Sequence, residues 1–313
     1  MKTNKKGVYT TILFTILFLV ACSSDDNNDT TQFTFPENET IFLDSQEKLN
    51  AFGALGKTVF TEVIVIGNSN QPNNSITSLN ALSTLTSVKG LTIHYNTQLT
   101  TLQGIANLHT IETDGLIIEE NPSLTNLNGL IGLQSIEGNA FVQMNGIMAN
   151  LDGLNNVSSI SGDLIIEENP NLSNYEGLMG LQSIGGDAFV QMNGILEMNG
   201  ITANLEGLNN LVSIGGDLTL HENPNLINVS GLIGLETIGG NAFVSMNGFM
   251  ESLDGLNNVI SIGGDITIEN NPLLMNFCGI RPVMVSDGFN GTYTANNNAF
   301  NPSFSEIIAL SCD

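Results

Sequence analysis

A segment of about 24 residues recurs along this chain from Val63 to Ile280, and this recurrence constrains the fold more than any other feature. Aligned segments begin at residues 116, 140, 164, 188, 218, 242 and 266, with steps of 24 residues except for one of 30. Leu91 and Val63 begin two further, slightly longer copies. A period of this kind is typical of solenoids, in which each repeat packs only against its neighbours.

The apolar residues within one repeat follow two spacings. Leu116 and Ile118 are two residues apart, which places both side chains on one face of a strand. After Asn121 the apolar residues fall three apart, from Leu124 to Ile136, and glycines interrupt the run, so an α-helix is not predicted. We therefore expect each repeat to form one coil, to contribute one strand to a parallel sheet and to stack its leucines on those of the next coil.

An asparagine follows each strand start by five residues. An inward amide must find hydrogen-bond partners, because leaving it unpaired costs about 1–3 kcal/mol. Stacked asparagines that brace the turns are the structural interpretation, which we favour, and a ladder that binds a ligand is the functional one. The nine positions are Asn68, Asn96, Asn121, Asn145, Asn169, Asn193, Asn223, Asn247 and Asn271.

Two segments, Ser-Ile-Gly-Gly-Asp-Leu-Thr-Leu-His-Glu-Asn-Pro-Asn-Leu (213–226) and Gly-Gly-Asp-Ile-Thr-Ile-Glu-Asn-Asn-Pro-Leu-Leu (263–274), resemble the receptor L-domain. That family is a leucine-rich, right-handed β-helix of insulin- and EGF-type receptor ectodomains, with related solenoids in fungal cell-wall and bacterial surface proteins. The resemblance covers about residues 60–280 and implies an all-β, right-handed parallel β-helix of about nine to ten coils. It implies no particular ligand, and the sequence shows no kinase or cysteine-rich module, so a signalling role is not expected.

The N-terminal residues 1–21 are typical of a secretory signal, since three lysines precede a short apolar run that ends at Cys22. Leu19-Val-Ala-Cys22 resembles the bacterial lipobox, which implies lipidation of Cys22 and attachment to a membrane. An ordinary cleavage site that contains a cysteine is the alternative. Residues 22–40 read as a flexible acidic tether, similar to the surface-export signal of Bacteroidetes lipoproteins, which favours the outer face of the outer membrane.

The distribution of charge excludes several partners. Loss of residues 1–21 removes three of the seven basic residues and no acidic one, which takes the formal charge from −24 to −27. No lysine or arginine lies between Lys89 and Arg281. Nucleic acid is therefore excluded as a partner, and polyanionic glycans are disfavoured, because both need cations. Neutral sugars, divalent cations and basic protein surfaces remain compatible with this charge.

The ends of the solenoid, which spans residues 61–280, are expected to carry caps. Cys278 and Cys312 are predicted to form a disulfide in an oxidising compartment, which would clip a C-terminal cap (281–313) and contribute about 3–4 kcal/mol. Residues 292–298 are a candidate final strand. An N-terminal cap (41–60) is predicted to hold a short helix with Ser45 as its N-cap and Leu55 facing inward.

The sequence offers little for catalysis, and no enzyme, catalytic residue, metal site or cofactor is predicted. His94 and His221 occupy the same strand position five coils apart, so they cannot share one metal or substrate atom. The pairs Glu119/Glu120 and Glu167/Glu168 belong to the repeat itself, whereas a catalytic pair would be unique. We interpret them as solvated strand-face residues, with contacts to Ca²⁺ or sugar as the alternative.

The strand face is the candidate binding surface. On alternate coils a phenylalanine follows the strand start, where an alanine replaces leucine, and a methionine follows three residues later. If the rings face outward they form an apolar stripe that marks an interface; the alternative is that each ring turns inward to fill the space beside the alanine. The candidate residues are Phe141, Phe189, Phe243, Met144, Met192, Met246, Glu119, Glu167 and Glu269. The unique insertion 196–201 is a second candidate, or a neutral duplication.

These features predict a non-catalytic surface lipoprotein that acts as a binding or adhesion module for a protein or a neutral glycan. Two alternatives stay open: a structural spacer without a specific ligand, and a degenerate carbohydrate-active β-helix enzyme.

Overall fold

A computed structural model describes residues 33–68, 71–194 and 205–312 of the protein, and residues 33–313 cluster as one unit. Seventeen strands form one all-parallel sheet, which is consistent with the predicted solenoid. Within the described ranges no helix is long and apolar enough to span a bilayer. The signal sequence, Cys22 and the insertion 196–201 lie outside the described residues.

The strands fall into two rows that run along the sheet. The major row comprises β1 (Ile41–Leu43), β2 (Val59–Gly67), β3 (Ser87–His94), β4 (Thr110–Glu119), β6 (Ala140–Gln143), β8 (Leu164–Glu167), β10 (Ala188–Gln191), β12 (Leu218–His221), β14 (Ala242–Ser245), β16 (Ile266–Glu269) and β17 (Tyr293–Asn296). The minor row comprises the two-residue strands β5 (Ser135–Ile136), β7 (Ser159–Ile160), β9 (Ser183–Ile184), β11 (Ser213–Ile214), β13 (Thr237–Ile238) and β15 (Ser261–Ile262).

Most repeats contribute two strands to the sheet rather than the single strand that we expected. The first part of β4 pairs with β5 and its second part pairs with β6, so the long N-terminal strands belong to both rows. From β5 onward the Gly-containing segment between Ile136 and Ala140, and its counterparts, separates the two rows. Paired residues such as Leu116 and Ala140 are 24 apart in sequence, and Ala188 and Leu218 are 30 apart.

The interior is filled by the apolar residues that recur at two- and three-residue spacings. Leu116, Ile118, Leu124 and Leu127 are all completely buried, and their described counterparts in other repeats are buried as well. These residues form one continuous core cluster from Ile41 to Ile307. Each repeat therefore buries its leucines against neighbouring repeats and could not bury them alone.

The turns that follow the strands alternate between two backbone forms, which doubles the structural period. Short 3₁₀ helices occur in every second repeat, at Asn80–Leu82, Asn128–Leu130, Glu176–Leu178, Ser230–Leu232 and Cys278–Ile280. In the intervening repeats a glycine has a positive φ, as at Gly153 (119°) and Gly255 (118°). An added Cβ at Gly153 would lie 1.8 Å from the Leu127 carbonyl oxygen, so close packing of the repeats also requires glycine there.

Stacked asparagine side chains hold the turns that follow the strands of the major row from β3 to β17. The Asn169 Nδ2 group donates to the carbonyl oxygen of Val142 in the preceding repeat at 2.8 Å and to Asn193 Oδ1 in the next at 3.2 Å. Its own Oδ1 accepts from the backbone N–H of Asn145 at 3.1 Å. One side chain therefore ties three repeats together, which supports the structural interpretation of this row.

The ladder differs from the predicted set at both ends. Gly67 pairs with His94, which places Asn68 opposite Tyr95, one position before the ladder residue Asn96. Asn68 is exposed, so the prediction that it belongs to the ladder is wrong. The reason is a register shift between Phe60 and Val63. At the other end Asn298, which we did not predict, is 8% exposed and accepts from Asn271.

A second ladder, also not predicted, connects the repeats just before the strands of the major row. The Asp163 side chain accepts from the backbone N–H of Asp187 at 2.8 Å, and Asp187 accepts from Asp217 in the same way. A Cβ atom added at Gly186 would lie only 2.0 Å from the Asp163 Oδ1 atom, so glycine is required at this position. The Gly-Gly-Asp motif therefore combines a close backbone approach with a side-chain acceptor for the next repeat.

Helices and a disulfide lie at the two ends of the sheet. Helix α1 (Gln46–Gly53) begins at its N-cap Ser45 as predicted, but it ends before Leu55, which is 49% exposed rather than inward. Helices α2 (Arg281–Val285) and α3 (Phe304–Ala309) flank β17, the predicted last strand. Cys278 and Cys312 form the predicted disulfide with Cα atoms 5.6 Å apart.

We predict that Asn169→Ala lowers the free energy of unfolding by about 2–4 kcal/mol, because it leaves the Val142 carbonyl and the Asn145 N–H unpaired in the interior. Asn156→Ala is the control, because among the described residues this exposed asparagine donates only to the Ile131 carbonyl, at 2.8 Å, and we expect a smaller effect from its replacement. Urea denaturation followed by circular dichroism measures both, and equal losses would contradict a ladder that bonds in both directions.

Candidate functional site

The outward side of the major row carries three columns of side chains, which together we call the strand face. The first column is Ile117, Phe141, Ile165, Phe189, Thr219, Phe243 and Thr267, one residue from each of β4 to β16. The second is Glu119, Gln143, Glu167, Gln191, His221, Ser245 and Glu269. The third lies one residue beyond the strands: Glu120, Met144, Glu168, Met192, Glu222, Met246 and Asn270.

The phenylalanine rings belong to the outward side of the sheet. Phe141 is half-buried and lies between Ala140 and Val142, both completely buried, as strand alternation requires. Phe243 is also half-buried, and its ring lies 5.9 Å from that of His221 in the second column. Phe189 is more enclosed, at 9% exposed, but it too stands outside the core cluster.

In the repeats that have alanine at the strand start, the large side chain that packs in the core is a methionine rather than the phenylalanine. Met148 and Met250 are completely buried at the position where neighbouring repeats have leucines, for example Leu124. Methionine is long and flexible enough to fill irregular spaces in a core. The alanine repeats therefore do not require the phenylalanine ring inside, which leaves it on the surface of the sheet.

The third column adopts a left-handed backbone that the sequence analysis did not anticipate. Met144, Glu168 and Glu222 have φ values of 52°, and Met246 has 57°. Such a conformation costs a non-glycine residue about 1–2 kcal/mol. It directs the chain inward so that the next residue, the ladder asparagine, reaches the interior, while Met144 and Met246 stay 41% and 48% exposed.

Carboxylates on the strand face lie close to apolar groups and to one another. Burial raises the pKa of Glu167, and the neighbouring charge of Glu168 raises it further. The hydroxyl of Tyr95 donates a hydrogen bond to Glu120, and this bond with partial burial raises the pKa of Tyr95 to about 12. Glu120 and Glu167 therefore place carboxyl groups at the edge of the apolar column.

Two of the three histidines, His94 and His221, lie in one column but far apart, as the repeat predicts. His94 is 6% exposed, its Nδ1 atom is 3.7 Å from a Glu119 oxygen, and its Nε2 atom has no partner among the described residues. His221 lies five strands away, 3.5 Å from Glu222. The described residues hold no group of three or more His, Cys, Asp or Glu side chains that could bind a metal ion.

A second outward surface follows the minor row. Its outward column consists of hydroxyl residues, and a groove of about 650 Å³ runs beside it across β7 to β15. The hydroxyl residues are Ser87, Thr110, Ser135, Ser159, Ser183, Ser213, Thr237 and Ser261. Exposed glycines line the groove, but an added Cβ at Gly215 would lie 2.1 Å from the Gly185 carbonyl oxygen. Stacking of the repeats therefore accounts for these glycines without a ligand.

The structure brings the nine predicted strand-face residues together on one side of the sheet. Ile117 and Ile165, which continue the apolar column between the phenylalanines, were missed because outward apolar residues were predicted only for the alanine-containing repeats. Strand alternation would have identified both as outward residues. Comparison with models of known protein families and with curated proteins gives no match for this chain.

We predict that Glu167→Gln raises the thermal midpoint at neutral pH. The raised pKa means that the folded state binds the Glu167 proton more tightly than the unfolded state does, so the ionised carboxylate opposes folding. This opposition disappears as the pH falls below the ordinary carboxylate range, near pH 4, and the two proteins should then converge. Thermal melts at both pH values test this, with Glu236→Gln as a control for net charge; a lower midpoint for Glu167→Gln at neutral pH would contradict it.

Proposed function

We propose that this protein is a non-catalytic cell-surface lipoprotein that binds a protein partner through the strand face. The supporting observation is a column of partly exposed phenylalanine and isoleucine side chains on β4, β6, β8 and β14, flanked by carboxylates and exposed methionines. Phe189 on β10 belongs to the same column but is buried. Apolar patches rimmed by polar groups mark interaction sites in soluble proteins. Aromatic residues and methionine are also the residue types enriched at protein interfaces.

The finer description of the fold is part of this proposal. We infer a right-handed β-helix of the receptor L-domain type with about nine to ten coils of about 24 residues. Residues 41–60, with β1 and α1, would cap one end, although the boundary at residue 60 falls within β2. Residues 281–313, held by Cys278–Cys312, would cap the other. These caps would protect the core and the outermost strands from solvent and from other chains.

The anchor is supported by the sequence of residues 19–29. We propose that the signal sequence is removed, that Cys22 carries the lipid and that the acidic tether presents the sheet outside the outer membrane. Lipid attachment would hold the strand face at the cell surface, where a partner could reach it.

Lipidation is tested by metabolic labelling with radioactive palmitate in a Gram-negative host. We expect label on the wild type and on a Ser23→Ala control, and none on Cys22→Ala, because only the Cys22 thiol would accept the lipid. Protease treatment of intact cells then tests surface exposure. Label that persists in Cys22→Ala would remove the basis for the anchor.

Recognition is tested by screening the purified full chain on arrays of proteins and glycans beside a Phe141→Thr/Phe243→Thr variant. Threonine already occupies this column at Thr219 and Thr267, so the replacement is compatible with the sheet. We expect saturable binding to a protein that weakens by about tenfold or more in the variant, because central aromatic residues dominate interfaces. Circular dichroism confirms that the variant is folded.

Three other results would each contradict part of this proposal. Unchanged binding by the folded variant would move the site away from the strand face. Binding to neutral glycans alone would make sugar the ligand. An absence of binding to both arrays would favour the structural spacer.

A further inference from the structure

On the strand face, strands that carry carboxylates alternate with strands that carry phenylalanine and methionine, while the acidic strands β4 and β8 also carry Ile117 and Ile165. Carboxylates occur at β4 (Glu119), β8 (Glu167), β12 (Glu222, one residue beyond the strand) and β16 (Glu269). The strands between them, β6, β10 and β14, carry the phenylalanines and are followed by the methionines. Adjacent strands are about 4.8 Å apart, so the carboxylates recur about every 10 Å with an apolar row midway between them.

No lysine or arginine in the part of the chain that the structure describes pairs with these carboxylates. The described lysine ion pairs are Lys48–Asp44 and Lys89–Asp114, and both lie outside the strand face. Arg281 donates to the backbone carbonyl of Ile308. Among the described residues the strand-face glutamates contact only histidines as potential cations, at 3.7 Å for Glu119 and 3.5 Å for Glu222. The charge of this face is therefore complementary to a basic partner.

The spacing of the face distinguishes among the shapes that a basic polypeptide segment can take. In an α-helix, residues seven apart lie about 10.5 Å apart on the same side, and residues three or four apart lie midway between them. In an extended strand, residues three apart are separated by about 10 Å but point to opposite faces. In a polyproline helix they lie about 9 Å apart on one side, with no side chain midway. Only the α-helix presents both the charges and the apolar groups at the required positions.

We propose that the strand face binds an amphipathic α-helix of a partner protein, laid across the strands, with a basic residue at every seventh position and apolar residues midway between. This inference rests on the proposed function, since it identifies the partner of the same surface. The distance from β4 to β16 is about 29 Å, which a helix of about 20 residues spans. Apolar side chains of the helix contact Phe141, Phe243 and the exposed methionines Met144 and Met246, and its basic side chains pair with the glutamates of the strands between.

The test uses two synthetic helical peptides of about 22 residues and identical composition. One carries lysine at every seventh position with leucine midway, and the other distributes the same lysines around the helix. We expect the full chain to bind the first peptide at least about tenfold more tightly than the second, with binding that weakens as salt is added. Fluorescence anisotropy of labelled peptides measures both affinities, and circular dichroism confirms that both peptides are helical.

Two protein variants separate local recognition from net charge. The first replaces Glu119, Glu167, Glu222 and Glu269 by Gln. The second replaces four glutamates that are exposed outside the strand face by Gln, and it removes the same total charge: Glu137, Glu176, Glu236 and Glu251. We expect affinity for the first peptide to fall by about tenfold or more in the first variant and to remain unchanged in the second.

Equal binding of the two peptides, or equal losses in the two variants, would overturn the proposal, because charge alone would then explain the affinity. Absence of binding to the first peptide would overturn it as well. The array experiment separates this failure from that of the proposed function. If array binding depends on Phe141 and Phe243 while the peptide does not bind, the strand face is a binding site for a different partner. If neither binds, both proposals fail.

Discussion

The hydrogen-bond requirement of the inward-facing asparagine is the constraint on which the repeat depends. After each strand of the major row the chain turns into the interior, where backbone groups cannot reach water. Each amide side chain supplies donors and an acceptor at that point: Asn145 Nδ2 donates to the Ile118 carbonyl and to Asn169 Oδ1, and Asn145 Oδ1 accepts from the backbone N–H of Asn121. Because the partners belong to the preceding and following repeats, no repeat satisfies its own polar groups alone, and the stability of each coil depends on its neighbours.

The same requirement is met at the other end of the strand by aspartate or asparagine. Asn139 accepts from the backbone N–H of Asp163 at 2.8 Å, and the series continues to Thr292, which donates to Asp265. A glycine beside each acceptor is needed because the side-chain oxygen occupies the place of a Cβ atom. Two polar ladders thus enclose the apolar strand positions, and together they fix the register in which leucines stack.

The sequence predicted those parts of the fold that depend on particular residue types recurring at a fixed spacing. The period, the parallel sheet, the asparagine row and the Cys278–Cys312 pair follow from residue identity alone. The missed parts depend on backbone geometry between repeats. The register shift before Val63 displaces Asn68, and the left-handed conformation of Met144 has no signature in its side chain. Whether Phe141 faces outward depended on how the core accommodates Ala140, which a sequence without coordinates leaves open.

The division between ladder and face explains how such a scaffold can acquire a binding surface. Asn145 and Asn169 face inward and carry the bonds between repeats, while Phe141 and Glu167 alternate with buried residues on the outer side of the same strands. Outward positions can therefore change without breaking a ladder, as the presence of Phe, Ile and Thr in one column shows. The interior needs only the inward-facing residues of each strand. The outward residues, including the carboxylates that recur every second repeat, can therefore vary to match a partner.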